Sequence, residues 1–478
     1  MPIYEMNYVA TVVTDCPDNP DLVHLLEPLL DRHISLVFAF PQQIEAAIDV
    51  AYADAGELLR LLRGPGGEEA EETHGFGQLN RMAREKAVAD FTRGLFLLAL
   101  HHRASDIHIE PDDESVRIRY RQDGVLREVM RLDMEVLPAL VNHLKILAEA
   151  DIAESRKPQD GRISYALTHR ALDMRFSCVP TINGPKVVLR LLGQNAFSAV
   201  PDLEELVLAR SVYDDMNTIL SSPNGIFFIT GPTGSGKTTT LFSALKRLNS
   251  EGINIMTVED PVEYRLPGLN QVQVNPTAGV TFAGALRAFL RQDPNVILIG
   301  EIRDLETAKI AAQAALTGHL VMATMHTNNA LQAVTRLIQI GVEPFLVAPS
   351  LIGVMAQRLV RRLCDHCKER YTLTPEEAAR YFEPDDGPPV EFCRPVGCER
   401  CNGTGYSGRV AIHELFLIDE GTRELIARHA SILDIQRHAA ERGFPTMRYD
   451  GFKKVLRGLT TPEEVDRAMI ELDPGDRE

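Results

Sequence analysis

The residues with the clearest chemical potential form a glycine-rich run at 231–238. An apolar stretch at 226–229 precedes this run, and a helix-like segment at 239–248 follows it. In order, the run reads Gly231, Pro232, Thr233, Gly234, Ser235, Gly236, Lys237 and Thr238. Its glycines can turn successive backbone amides inward, and the amino end of a following helix adds positive potential. The sequence therefore predicts a polyphosphate-binding loop in which Lys237 reaches the β- and γ-phosphates and the Thr238 hydroxyl ligates magnesium.

Acidic and imidazole side chains follow the next three predicted strands. Glu259 and Glu263 follow the first strand, Glu301 the second and His326 the third. Parallel strands bring their carboxyl ends to one edge of a sheet, where hydrolysis of a nucleoside triphosphate needs a metal ion, oriented water and donors around the γ-phosphate. We predict that Glu301 holds magnesium and that His326 senses the γ-phosphate. Either Glu259 or Glu263 would polarise the attacking water, with Asp260 as a further candidate.

Arginines at regular spacing are candidates for additional phosphate contacts. Arg117, Arg119 and Arg121 alternate along a predicted strand and share one face, where neighbouring cations repel each other unless anions oppose them. Either the acids just before this strand balance the face, or the face meets bound phosphates. Arg287 and Arg291 are four residues apart in a helix-like segment, so we expect them to share a face as surface charges or nucleotide contacts.

Two C-x-x-C pairs form the second strong signal. The pairs are Cys364 with Cys367 and Cys398 with Cys401. Four thiolates suit tetrahedral zinc, and a site with only protein ligands is closed and structural. A disulfide or redox pair is the alternative, as is replacement of one ligand by Cys393 or His366. The one clearly basic neighbourhood lies beside the first pair, as a solvated surface or a contact for anionic partners: Arg358, Arg361, Arg362, Lys368 and Arg370.

Composition limits the possible functions. The chain has 478 residues, of which 45% are hydrophobic and 24% charged, and this predicts a globular protein of two to four domains. Its formal net charge of −17 opposes nonspecific attraction to nucleic acid, so we expect no nucleic-acid partner. The first residues lack a basic region followed by an apolar stretch, and we therefore expect a cytoplasmic protein.

The order of patterns predicts an α/β chain of six segments. These are a docking module at 1–63, a flexible linker at 64–79, an α+β domain at 80–205, a parallel-sheet core at 206–360, a cysteine arm at 361–408 and a C-terminal helical region at 409–478. The α+β domain has the pattern helix, strand, strand, helix, strand, strand. The core strands are predicted at 226–229, 253–258, 296–299 and 320–325.

With these motifs in place, the chain resembles the ATPases of bacterial type II secretion and type IV pilus systems from about residue 80 onward. The shared motifs are the phosphate loop, an acidic box at 257–264, a Walker B segment at 297–304, a histidine box at 317–328, segments at 104–111 and 158–162, and the paired cysteines. The resemblance implies a RecA-like P-loop ATPase domain, a preceding PAS-like α+β domain and a zinc-binding arm. Pro294 is followed by Asn295 where the family usually has aspartate.

The resemblance also implies a function. Members of this family are hexameric ATPases that use ATP and magnesium to drive pseudopilus assembly and protein export, with the nucleotide between the α+β domain and the core. The residues that the resemblance adds to the nucleotide site are Arg119, Arg121, Thr239, Arg287, Arg291 and His319. The N-terminal module would dock on the cytoplasmic part of an inner-membrane secretion protein. The motor would then act on an inner-membrane platform protein from the cytoplasmic face of that membrane.

Three alternatives follow from the same motifs. A type IV pilus extension motor shares the boxes and the cysteine arm. A RecA-like nucleic-acid translocase would use the phosphate loop in the same way, although the acidic charge of the chain opposes it. A scaffold that binds nucleotide without hydrolysing it would need the phosphate loop but not the strand-end acids.

Overall fold

The computed structural model describes most of the chain, and its contacts divide the chain into two compact units, residues 1–197 and 198–478. The described residues are 2–6, 9–30, 32–40, 44, 77–167, 171–192, 200–381 and 390–470. The predicted linker at 64–79 lies outside them except for its last three residues, which begin a helix. No helix in the described part of the chain is both long and apolar enough to cross a membrane.

The first unit begins with a small mixed sheet. Its elements are β1 (Pro2–Met6), β2 (Val9–Thr14), α1 (Pro20–Leu30) and β3 (His33–Phe38). β1 pairs with β2 in the antiparallel direction, and β2 pairs with β3 in the parallel direction. Because parallel neighbours require a crossover, α1 carries the chain from the end of β2 back to the start of β3.

A six-stranded antiparallel sheet with two helices forms the rest of the first unit. Its elements are α2 (Gly77–His101), β4 (Asp106–Pro111), β5 (Ser115–Gln122), β6 (Val125–Asp133), α3 (Leu137–Leu147), β7 (Gln159–Ala166), β8 (Ala171–Thr181) and β9 (Gly184–Leu192). The strands lie in the order β6-β5-β4-β9-β8-β7. In chain order, three strands precede α3 and three follow it, where the sequence predicted two in each place. Tight turns between consecutive strands account for the extra strands. Asp123 and Gly124, both at positive φ, make one such turn between β5 and β6.

The alternation predicted for β5 is confirmed. Val116, Ile118 and Tyr120 are fully buried on one face, and the arginines between them lie on the other. The buried face packs against α2, which contributes Phe91 and Leu95 to the same core. The Tyr120 hydroxyl donates a hydrogen bond to the Leu95 carbonyl at 2.7 Å, so its polar end is satisfied inside the core.

The second unit is built on a seven-stranded sheet. Its strands are β10 (Gly225–Thr230), β11 (Ile255–Glu259), β12 (Asn270–Gln273), β13 (Val296–Ile299), β14 (Leu320–Met325), β15 (Leu351–Leu363) and β18 (Tyr406–Leu417). They lie in the order β12-β11-β13-β14-β10-β15-β18, and the last pair is antiparallel while the others are parallel. All six residues of β10 are buried, as expected for a strand covered on both faces.

Helices cover both faces of this sheet. They are α4 (Arg210–Leu220), α5 (Lys237–Leu248), α6 (Phe282–Phe289), α7 (Leu305–Leu316), α8 (Ala330–Ile340) and α9 (Pro344–Ser350). On one face Phe227 shares a core with Leu241 and Phe242 of α5. On the other face Phe228 shares a core with Leu286 of α6 and Ala311 of α7. The predicted α/β class is confirmed, with one antiparallel strand at the edge of the sheet.

A two-stranded sheet and short helices complete the second unit. They are β16 (Glu369–Thr372), α10 (Pro375–Ala378), β17 (Glu391–Arg394), α11 (Glu420–Ala427), α12 (Ile432–Glu441), α13 (Met447–Leu456) and α14 (Pro462–Ile470). Buried polar contacts fasten α13 to β18. Asp450 accepts hydrogen bonds from Lys454 Nζ at 2.6 Å and from the His413 backbone at 2.8 Å, and Lys454 also donates to the Ala411 carbonyl at 2.6 Å.

We expect Lys454→Met to lower the free energy of unfolding of the second unit by about 3 to 5 kcal/mol, because it leaves the Asp450 carboxylate buried without its cation. Denaturant unfolding of the full chain measures this change. The matched control is Lys453→Met at the exposed neighbouring position, which should shift the value by about 0.5 kcal/mol or less. Equal effects of the two substitutions would contradict the assignment.

Candidate functional site

The phosphate loop joins the end of β10 to the start of α5. Gly231, Gly234 and Gly236 all have positive φ, at 146°, 80° and 86°. A Cβ at Gly231 would come within 2.5 Å of the Gln357 carbonyl, and one at Gly236 within 2.7 Å of the Gln357 side-chain nitrogen. The loop therefore needs glycine both for its backbone angles and for the close approach of β15.

Lys237 begins α5 and turns back over the loop. Its Nζ donates to the carbonyl oxygens of Gly231 and the following proline, at 2.8 and 2.9 Å. Burial lowers the pKa of this amine to about 8, and the nearby Arg358 guanidinium acts in the same direction. Glu301 and Glu263 act in the opposite direction, so both carboxylates lie close enough to affect the Lys237 charge.

Glu301 and His326 meet beside the same loop. Glu301 follows β13, and its Oε2 lies 3.6 Å from His326 Nε2 while its Oε1 lies 2.6 Å from the Arg303 guanidinium. His326 follows β14, and the Gly231 backbone lies close enough to act to raise the pKa of its imidazole. Burial lowers the pKa of His326, and the charge of Lys237 lowers it further. The structure thus brings together Lys237, Glu301 and His326, which the sequence placed at the ends of different strands.

The two glutamates of the acidic box lie in different surroundings. Glu259 is 4% exposed, and its Oε1 accepts hydrogen bonds from Thr257 Oγ1 at 2.6 Å and Gln271 Nε2 at 3.1 Å. Burial raises the pKa of Glu259 despite these two donors. Glu263 is exposed to solvent and influences the charge of Lys237. The two carboxylates are therefore chemically distinct, although the sequence could not separate them.

Tyr264 anchors the acidic box to the helix after the phosphate loop. Its hydroxyl lies 3.3 Å from Thr239 Oγ1, and its ring centroid lies 5.3 Å from that of Phe242. Gln271 Nε2 also donates to the Tyr264 carbonyl at 2.8 Å. Thr239 thus contacts the acidic box, while Thr238 is partly exposed in the first turn of α5. Sequence reasoning gave no role to Tyr264, because a single aromatic residue next to a motif does not form a recognisable pattern with other residues.

Two residues singled out from the sequence lie at the opposite, amino edge of the sheet. His319 precedes β14, its Nδ1 lies 2.8 Å from the Ala314 carbonyl, and its own carbonyl accepts from the Gly225 backbone. The full length of β10 separates it from the phosphate loop, so His319 does not join the predicted nucleotide cluster within this unit. Asn295 lies at the same edge, where its Oδ1 accepts from the Asn254 backbone at 2.8 Å.

Arg287 and Arg291 do not share a helix face, contrary to the prediction. α6 ends at Phe289, so Arg291 lies beyond the helix and donates from its NH1 to the Arg287 carbonyl at 2.8 Å. Arg287 forms an ion pair with Glu306 in the first turn of α7. Both arginines are exposed, and their contact with a nucleotide stays a prediction.

Arg119 and Arg121 belong to the first unit, where acids on the adjacent strand oppose them. Arg119 donates to both oxygens of Glu110 at 2.7 and 2.9 Å, and Arg121 Nε lies 3.4 Å from Asp106. Burial works to raise the pKa of Glu110, but hydrogen bonds from Arg119 and Lys186 lower it to about 2. The balancing acids therefore come from β4 and not from the acids between β4 and β5, which the sequence suggested. Strand register adds two more arginines to this face, Arg175 and Arg190.

The four predicted thiols form one cluster. They are those of Cys364, Cys367, Cys398 and Cys401, and all lie within 4.8 Å of one another. Sulfur separations of 3.7 to 3.9 Å within the cluster exceed the disulfide bond length of about 2.05 Å. His366 lies against the Arg400 guanidinium at 2.9 Å, and Cys393 lies in β17. Among the described residues, the cluster is the one group of three or more thiol, imidazole or carboxylate side chains placed to hold a metal ion together.

Backbone amides favour the thiolate form of Cys401, whereas burial raises the pKa of Cys367 to about 11. Gly397 donates to Cys367 Sγ at 3.3 Å, and the amides of Cys398 and Gly405 donate to Cys401 Sγ at 3.1 and 3.2 Å. Burial works to raise the pKa of Cys401, yet these two amides and the neighbouring thiols bring it down to about 6. Four sulfur ligands within 4.8 Å of one another, with backbone amides that can donate to their thiolates, fit a zinc ion.

The basic neighbourhood beside the cysteines is partly balanced by acids. Arg361 pairs with Glu464 at 2.7 Å, and Arg362 and Lys368 both pair with Asp365, at 2.8 and 2.7 Å. Asp365 is shared by two cations and Glu464 also pairs with Arg467, so these ion pairs reduce the positive potential without removing it. A contact of this neighbourhood with anionic partners stays a prediction.

Curated relatives cover most of the chain. It is 45% identical over 471 residues to the type II secretion system protein E of Dickeya dadantii, covering 97% of this chain and 93% of that protein. It is 49% identical over 373 residues to the type II secretion system ATPase E of Vibrio cholerae, covering 78% and 73%. It is also 49% identical over 395 residues to the type IV pilus assembly ATPase PilB of Thermus thermophilus, covering 82% of this chain but 44% of that protein.

Solved structures show the same fold. The pilus retraction motor PilT, crystallised with ADP, matches with a TM-score of 0.53 at 26% identity over 80% of this chain and 96% of that chain. The Legionella pneumophila ATPase DotB matches in fold with a TM-score of 0.57 at 20% identity over 84% and 98%. The profile described as type II/IV secretion system protein matches residues 82–467, and the chain therefore belongs to this family.

Proposed function

We propose that this chain is an ATP hydrolase that powers protein export by a type II secretion system. The observation that carries the proposal is the meeting of Lys237, Glu301 and His326 beside a glycine-rich loop at the carboxyl edge of the core sheet. A pocket that only bound nucleotide would need the loop but not the carboxylate and imidazole from two other strands. The names of the Dickeya and Vibrio relatives supply the secretion context.

The residues around the loop fit a magnesium-bound triphosphate. Inward-facing loop amides and Lys237 offer donors to phosphate oxygens, and the Thr238 hydroxyl and Glu301 carboxylate offer oxygen ligands on the metal side. Magnesium, when bound, neutralises charge on the β- and γ-phosphates. His326 would donate toward the γ-phosphate from the end of β14. Tyr264 would keep the acidic box in contact with α5 through Thr239.

We assign the role of general base to Glu263 and a supporting role to Glu259. A base must be able to reach a water molecule beside the γ-phosphate, and Glu263 is exposed and within electrostatic reach of Lys237. Glu259 is buried, and its carboxylate is already engaged by Thr257 and Gln271. It would hold β11 and β12 together behind the acidic box.

Type IV pilus assembly is the second candidate function. It is supported by the Thermus relative, which is 49% identical but matches 82% of this chain. Coverage of this chain does not separate the two functions, because the type IV pilus assembly ATPase PilB of Myxococcus xanthus matches 95% of it and the Dickeya secretion protein 97%. The Dickeya protein is matched over 93% of its own length, against 82% and 44% for the Myxococcus and Thermus pilus proteins. We favour secretion on this ground.

The remaining assignments are carried by family resemblance. The core at 206–360 would be a RecA-like ATPase domain, 80–205 a PAS-like domain, and six copies of the chain would assemble with ATP bound. Arg119, Arg121, Arg287 and Arg291 would face that nucleotide. The module at 1–63 would dock on the cytoplasmic part of an inner-membrane secretion protein, which would place the motor on the cytoplasmic face beside a membrane platform protein.

Lys237→Ala should abolish magnesium-dependent ATP hydrolysis, and Glu301→Gln should lower its kcat by about two orders of magnitude or more. Phosphate release at saturating ATP and magnesium measures both effects. Glu343→Gln, an equal change of charge at the start of α9, is the matched control and should turn over normally. If Glu301→Gln hydrolysed ATP at the normal rate, the chain would be a nucleotide binder without the proposed chemistry. Stimulation by single-stranded DNA would instead indicate a translocase.

Glu263→Gln should reduce kcat by about 10²-fold or more while leaving ADP affinity unchanged, because it removes the base but keeps the shape of the side chain. Glu259→Gln should cost less in kcat, since the amide keeps an oxygen for Thr257. Parallel steady-state kinetics and ADP titrations separate the two. A larger kcat loss at Glu259 than at Glu263 would reverse the assignment.

Elemental analysis should find about one zinc per chain, and Cys398→Ser should lose it because three thiolates remain. Cys393→Ser and His366→Ala are the matched controls and should retain the metal. If zinc-free protein protected residues 364–401 from protease as well as the zinc-containing protein does, the proposed structural zinc site would be wrong.

A further inference from the structure

Gln357 lies directly beneath the phosphate loop. It follows Ala356, the last residue of β15 that pairs with β10, and it is 1% exposed. Its Nε2 donates to the Ser235 carbonyl at 2.8 Å, and its Oε1 accepts from Thr240 Oγ1 at 2.8 Å. The buried Gln357 amide therefore hydrogen-bonds to the phosphate loop through its nitrogen and to the first turn of α5 through its oxygen.

The next residue, Arg358, holds a second loop from the opposite face of the strand. Successive side chains of a strand point to opposite faces. Arg358 is 3% exposed, and its guanidinium donates to the Asn328 carbonyl at 2.8 Å and to the Gln357 carbonyl at 3.0 Å. Glu414 accepts from the Ala330 backbone at 2.8 Å, two residues further on. The segment 326–329, here called the histidine loop, is thus held close to its carboxyl end.

We propose that Gln357 and Arg358 are positioning residues that brace the phosphate loop and the histidine loop against each other. The inference rests on the proposed ATP hydrolysis and adds two residues that lie outside the motifs of the nucleotide site. Because the two residues are consecutive on one strand, neither loop can shift without disturbing the contact that holds the other.

The two halves of the brace act on different parts of the nucleotide. Gln357 fixes Ser235 and therefore the loop amides that meet the phosphates of ADP and ATP alike. Arg358 fixes the segment behind His326, which would face the γ-phosphate present in ATP alone, and its guanidinium also supplies a positive charge near Gly231 and Lys237. Loss of the first contact should change nucleotide affinity, whereas loss of the second should change turnover.

The first test is Gln357→Met, which keeps length and burial but removes both hydrogen bonds. Titration calorimetry of the full chain should show ADP binding weakened about tenfold, with kcat at saturating ATP changed by less than about threefold. Met355→Leu, two residues earlier on the same face of β15, is the matched control. If the Gln357 variant fails to fold, Thr240→Val removes one of the two bonds and should weaken ADP binding about threefold.

The second test is Arg358→Lys, which keeps the positive charge but loses the fork that reaches two carbonyls at once. We expect kcat to fall about tenfold while ADP affinity stays within about twofold of the unaltered chain. Thermal midpoints and zinc content of both variants show whether the fold is intact.

The two outcomes discriminate between positioning and simple structural support. A folded Gln357→Met protein with the ADP affinity of Met355→Leu would overturn the brace, as would equal losses of affinity and kcat in both variants. If the unaltered chain bound ADP but hydrolysed no ATP, the proposed function would fail. The ADP titrations would still decide whether Gln357 holds the loop.

Discussion

Parallel pairing of β10, β13 and β14 is the constraint on which the site depends. The register places Gly225 and Val296 beside Leu320, so the three strands begin at one level and their following residues leave at one edge. β13 has two residues fewer than β10 and β14, yet the chain after it stays attached because the Ile302 backbone donates to the Thr324 carbonyl at 3.0 Å. Backbone hydrogen bonds thus set the position of Glu301 next to the end of β14.

Local sequence patterns predicted the elements that carry this constraint. The stretch 296–299 is β13 itself, and 226–229 differs from β10 by one residue at each end, because apolar runs between polar residues mark fully buried strands. The phosphate loop was also found from local sequence. Its glycines and Lys237 lie within eight consecutive residues, and phosphate binding requires both residue types at that spacing. The four cysteines were likewise found from spacing alone.

Contacts between distant segments could not be predicted in this way. Glu110 opposes Arg119 because β4 pairs with β5. The sequence around β5 shows only the acids immediately before that strand, and it does not show which residues of a paired strand lie opposite. Gln357 is a single amide in an apolar strand, more than one hundred residues from Ser235, so no local pattern marks it. Arg291 was assigned to a helix that ends at Phe289, and helix ends are the least certain feature of a periodic pattern.

β15 connects the nucleotide site to the cysteine cluster, and its contacts decide how far the two depend on each other. Cys364 lies seven positions after Gln357, or about 23 Å along an extended strand. Between them, Arg361 pairs with Glu464 of α14 at 2.7 Å, and the Leu363 backbone donates to the Leu459 carbonyl at 2.9 Å. These contacts hold the distal half of the strand without a metal ion. A zinc ion bound by the four cysteines would therefore shape the cysteine arm, while β18 and the C-terminal helices keep β15 in place beneath the phosphate loop.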